Sequence, residues 1–112
     1  MTSKNKARGY ALEHETVAHW KKLGAECKRV FASGAYKDYL PDEKGDLMLA
    51  GFIVECKRKK TGFRFLYKSL KQDDVDILVI RQDALPGKTI ERLYVMPEKT
   101  VEALMRQTGV IK

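Results

Sequence analysis

Residues 45–57, Gly-Asp-Leu-Met-Leu-Ala-Gly-Phe-Ile-Val-Glu-Cys-Lys, set an aspartate, a glutamate and a lysine around one expected β-hairpin. Two apolar runs, residues 47–50 and 52–54, are divided at Ala50-Gly51, where glycine supplies the positive φ of a tight turn. Alternation along the second run puts Ile53, Glu55 and Lys57 on one face and Phe52, Val54 and Cys56 on the other. With Ala50 and Gly51 as turn residues, the register pairs 49 with 52, 48 with 53, 47 with 54 and 46 with 55. Asp46 then faces Glu55 across the ribbon, with Cβ atoms roughly 5 Å apart. Two carboxylates so placed repel each other, and a cation between them relieves the repulsion. Oxygen donors at this spacing suit a hard divalent ion such as Mg²⁺, leaving Lys57 to hold a phosphate oxygen or an attacking water. The plainer alternative is an exposed hairpin end on which Glu55 and Lys57 pair with each other.

A further acid comes from the first helix, expected over residues 6–23 with Gly24 as its stop. At about 100° per residue, Leu12, Leu23, Trp20, Val17 and Tyr10 form one apolar arc. Glu13 falls inside that arc, between Trp20 and Val17, whereas Glu15, His14, Lys21 and Lys22 lie on the opposite, solvated side. A carboxylate aimed at a core needs a partner, because burying an unpaired charge is very costly. Glu13 therefore either meets a buried cation or lines a metal site assembled against the sheet. His14 and His19 read as surface or boundary residues.

Around these groups the chain is short, 112 residues, enough for one domain with a modest core. Its 44% hydrophobic and 33% charged residues describe a soluble, globular protein. There is no apolar run of membrane-spanning length and no signal-peptide core at the start, so an intracellular, cytoplasmic location is expected. Cys27 and Cys56 have no metal-ligand spacing and read as free thiols in a reducing compartment. A formal charge of +7 on so small a chain favours a polyanionic partner, nucleic acid first.

Taken in order, residues 25–31 alternate as a strand that ends at Ala32-Ser33-Gly34. Residues 35–44 have no period and interleave Tyr36 and Tyr39 with Lys37 and Lys44, a pattern suited to stacking on and gripping nucleic acid. After the hairpin, Arg58, Lys59 and Lys60 crowd positive charge beside the acids, where phosphates would be received. Residues 66–72 form a short amphipathic helix. Residues 74–80 follow as a strand whose Ile77-Leu78-Val79-Ile80 run suggests burial on both faces. A turn at residues 84–88 leads to a strand over residues 90–96, and Pro97 opens a last helix that Gly109 stops.

The ordered set resembles the PD-(D/E)xK nuclease core, and more closely the archaeal-type Holliday junction resolvases and their viral relatives. The residues that carry the likeness are Arg8-Gly9-Tyr10-Ala11-Leu12-Glu13, Arg29 with Ala32-Ser33-Gly34, Asp46, and Glu55-Cys56-Lys57. Residues 6–60 carry it well; the remainder agrees only in element order and length. The family usually has proline before the aspartate, where this chain has Gly45, and Pro41-Asp42 offers a second alignment. Asp46 is preferred because it borders the apolar strand and pairs with Glu55, whereas Asp42 sits in a polar loop.

The resemblance implies an α/β, restriction-endonuclease-like fold, a mixed β-sheet flanked by helices in the order α-β-β-β-α-β-β-α, as a single nuclease domain over residues 1–112. It implies that Glu13, Asp46 and Glu55 bind Mg²⁺, with Mn²⁺ able to substitute, and that Lys57 orients or activates the water. Ser33 would lie near the scissile phosphate, and Arg8, Arg29, Lys37, Arg58, Lys59 and Lys60 would contact DNA. Cys56, facing away from the site, reads as a small core residue. The activity implied is hydrolysis of phosphodiester bonds in four-way DNA junctions by a homodimer, two symmetric cuts requiring two sites. The alternatives are the same core acting on flaps or linear duplex, and a non-catalytic DNA-binding module.

Overall fold

The computed structural model describes residues 3–30 and 46–112, with side chains from residue 9 onward in the first helix. Ser33, Lys37 and the Pro41-Asp42 pair lie outside the described residues, as does the side chain of Arg8. The elements follow in the expected order: α1 (Ser3–Lys22), β1 (Cys27–Arg29), β2 (Leu47–Leu49), β3 (Phe52–Val54), α2 (Arg64–Gln72), β4 (Leu78–Ile80), β5 (Leu93–Val95) and α3 (Glu98–Gln107). This is a small α/β protein. One mixed sheet is the sequence expectation, but the described strands form two antiparallel sheets, β1-β2-β3 and β4-β5. No described helix is long and apolar enough to cross a membrane.

The chain gathers into two compact units, Met1–Arg58 with Gly109–Lys112, and Lys59–Thr108. In the first, α1 packs on β1 and β2. Gly24, at φ 94°, ends α1 as glycine can, and Ala25 turns back with its amide on the Trp20 carbonyl at 2.9 Å. Trp20, Ala25, Cys27, Leu47, Leu49 and Ile111 form the core, and Leu47 is fully enclosed at 0% exposure. Burying a leucine this completely stabilises by about 1.5–3 kcal/mol.

The central ribbon has the expected register: Leu49 opposite Phe52, Met48 opposite Ile53, Leu47 opposite Val54. Its turn holds Ala50 at φ 50° and Gly51 at φ 88°, the two positive values of a type I′ turn. Gly51 adopts this freely; Ala50, carrying a Cβ, is strained there by about 1–2 kcal/mol.

In the second unit, α2 packs on β4, and α3 is tied to the approach of β4 by a hydrogen bond from Thr100 Oγ1 to the Asp76 carbonyl at 3.1 Å. Pro97 caps α3 in an extended conformation, and Gly87, at φ 77°, follows Pro86 in the turn closed by the Lys88 amide on the Leu85 carbonyl. The expectation that the Ile77–Ile80 run is buried on both faces is corrected here. Ile77 and Val79 are 42% and 48% exposed, while Leu78 and Ile80 are half-buried. A two-stranded sheet covered on one side leaves alternate residues outward however apolar the run is.

Candidate functional site

Glu13 is the buried acid expected from the wheel, 8% exposed. The helix turns it inward beside Trp20, and the cation it meets is Arg29, at the end of β1, with Nη2 3.7 Å from Glu13 Oε2. That separation makes an ion pair too long for a hydrogen bond. The Arg29 guanidinium also approaches His14 Nε2 at 3.4 Å and lies 5.1 Å over the Tyr10 ring. Its Nε is buried and has no hydrogen-bond partner among the described residues. Tyr10 belongs to the apolar arc of the wheel but is exposed, and its ring forms a platform for the cation. Burial pushes the Glu13 carboxyl above its ordinary pKa, and Asp46 and Glu55 push it further, against the opposing pull of Arg29 and His14. Glu13 on α1 therefore feels the acids of the ribbon.

Asp46 begins β2 with a displacement that the hairpin register alone does not reveal. Its amide donates to the Val54 carbonyl at 2.8 Å, although Val54 is the partner of Leu47. Two residues of one strand thus face one of the other, which is a β-bulge, and a bulge re-aims the side chains beside it. The expected pairing of Asp46 across from Glu55 is replaced by a hydrogen bond from the Cys56 amide to Asp46 Oδ2 at 2.7 Å. Glu55 lies beyond the end of β3 and reaches Lys57, with Nζ 3.6 Å from Oε1 in an exposed pair.

Cys56 keeps the face that alternation gives it: it is half-buried like Val54, while Glu55 and Lys57 are exposed. The half-buried thiol is pushed up to about 11 by burial and then by Asp46, Glu13 and Glu55, against a hydrogen-bonding contact with Thr16. It thus lies within the field of all three acids. Thr16, whose hydroxyl donates to the Leu12 carbonyl at 2.6 Å, stands three residues from Glu13 on the same helix face, the one sequence signal that could have found it.

The donors of Glu13, Asp46 and Glu55 are all carboxylate oxygens, the chemistry a hard divalent cation takes. Asp46 and Glu55 are close enough to raise the proton affinity of Glu13, yet the ligand atoms of the three do not lie within 4.8 Å of one another. Holding an ion would require the side chains to close on it. Of the other expected DNA contacts, Arg58 ends the first unit and Lys59 and Lys60 begin the second, all exposed; Lys59 Nζ lies 5.7 Å over the Phe63 ring. Comparison with protein-family models, curated proteins and solved structures gives no match.

Proposed function

We propose that this protein is a metal-dependent DNA endonuclease of the restriction-endonuclease-like kind, cutting four-way junctions as a homodimer. The reading draws chiefly on one observation: a helix glutamate only 8% exposed, its proton affinity raised first by burial and then by Asp46 and, least, Glu55, in a chain of net charge +7. A bound cation relieves acids gathered locally, and the positive charge of the rest of the chain favours a polyanionic substrate. Glu13, Asp46 and Glu55 would hold Mg²⁺ or Mn²⁺, which when bound would polarise the phosphate and acidify a water. Lys57, extended into solvent beside Glu55, would hold a phosphate oxygen or the attacking water, and Arg29 would keep Glu13 ionised and oriented before metal arrives. Arg58, exposed, offers the phosphates a cation next to this end of the ribbon.

A second reading, a non-catalytic DNA-binding module, has its own support, because Glu13 and Glu55 each already have a cationic partner. Incubation of the protein with a synthetic four-way junction and with linear duplex of the same sequence, in Mg²⁺ and in EDTA, separates the readings. Metal-dependent nicks at paired positions of the junction support the nuclease, and equal cutting of both DNAs moves the substrate to linear duplex. Junction binding without cutting in either Mg²⁺ or EDTA leaves the module.

A further inference from the structure

The second unit carries a surface that the acid cluster does not use. From residue 59 to 72 the chain contains Lys59, Lys60, Arg64, Lys68 and Lys71 and no aspartate or glutamate. On α2, at about 100° per residue, Arg64, Lys68 and Lys71 fall within about 60° of one another and form a single stripe. Leu66, Ser69 and Leu70, the half-buried residues of the helix, lie on the opposite side, and α2 packs on β4. Along the axis the three cations are separated by rises of about 6 and 4.5 Å. Like charges at these spacings destabilise a helix. Among the described residues none of the three is paired with a carboxylate. The contrast is α3, where Glu102 and Arg106 pair at 3.9 Å. Two aromatic side chains flank the stripe and stand in solvent, Phe65 57% and Tyr67 65% exposed.

We propose that this face of α2 binds nucleic acid at unpaired nucleotides: Arg64, Lys68 and Lys71 take the phosphates, and Phe65 and Tyr67 stack on bases. Charge complementarity selects a polyanion, and the aromatic pair selects one that presents π-faces. An anionic membrane is the poorer fit, because the apolar arc that would enter lipid is packed on β4. The inference rests on the DNA reading and favours substrates with unpaired nucleotides, such as flaps or an opened branch point, but it concerns binding and not cutting.

The test measures anisotropy of a labelled single-stranded oligonucleotide across a salt series in EDTA, with circular dichroism on every variant. Arg64→Gln/Lys68→Gln/Lys71→Gln should make the log–log salt slope shallower by about 2, roughly 0.7 for each phosphate no longer neutralised. The equally discharged Lys21→Gln/Lys22→Gln/Lys88→Gln should leave the slope near that of the unaltered protein. Phe65→Ala/Tyr67→Ala should weaken binding by at least about thirtyfold at unchanged slope. Equal slopes in the two discharged variants, or binding to phosphatidylserine vesicles with none to the oligonucleotide, overturn the proposal. Failure of the nuclease reading appears separately, as junctions left intact in Mg²⁺ while these binding differences persist.

Discussion

Asp46 offers a way to separate holding the fold from doing chemistry. Its Oδ2 accepts the Cys56 amide at 2.7 Å in a part-buried position, and this bond fixes the chain as it leaves β3. A hydrogen bond to a charged acceptor contributes about 1.5–3 kcal/mol, and its loss leaves the amide donor unsatisfied. Asp46→Ala should therefore destabilise by about 2 kcal/mol. At roughly 4 °C per kcal/mol for a chain of this size, the melting temperature should fall by about 8 °C. Asp46→Asn keeps a carbonyl oxygen in place and removes a charge that opposes ionisation of Glu13, so its cost should stay below about 1 kcal/mol. Thermal and urea unfolding in EDTA give the stabilities, and junction cutting in Mg²⁺ is read on the same preparations. Both variants should lose cutting, while only the alanine variant loses appreciable stability. If asparagine costs as much as alanine, or alanine costs nothing, the bulge and its hydrogen bond are not what holds this corner.

Glu13→Gln should be more stable than the unaltered protein at neutral pH in EDTA. Its raised folded pKa means that the ionised form weakens the fold, an effect that grows as pH rises from the ordinary carboxyl value of 4.5 and is absent below it. A urea series across pH checks this, and a less stable glutamine variant at pH 7 refutes it. Alkylation of native Cys56 by iodoacetamide should accelerate only as pH approaches about 11, against an ordinary thiol value of 9 once the chain is unfolded in urea. Mass spectrometry of Cys56 peptides reads both profiles, and coincident profiles contradict the burial of the thiol and its acidic surroundings. Ala50→Gly relieves the positive φ at some entropic cost and should stabilise by about 0.5–1 kcal/mol, seen as a higher urea midpoint at unchanged slope.

The order of elements and the register of the central ribbon are legible in the sequence because period and punctuation agree. Apolar residues run from 47 to 54, and Ala50-Gly51 permits only a short turn between the two halves. Glu13 is legible for a similar reason, since 100° per residue places it beside Trp20 whatever it meets there. Its partner is not, because Arg29 arrives from β1 and no local period reports that approach. The bulge at Asp46 also escapes pattern reading: one amide bonding one residue early re-aims a carboxylate without changing the register beyond it. The half-burial of Cys56 is legible, since alternation carries past Val54, but its contact with Thr16 is tertiary and no local period reports it. The burial of residues 77–80 is misread because an apolar run fits a strand covered on either one face or two, and the number of layers is a tertiary property.

The central claim is that Glu13, Asp46 and Glu55 together hold a divalent cation, and calorimetric titration of the DNA-free protein with Mn²⁺ tests it most directly. The account predicts saturable heat that is lost in Asp46→Asn and weakened in Glu13→Gln and Glu55→Gln. Absence of saturable binding, or heats unchanged in all three variants, would contradict it.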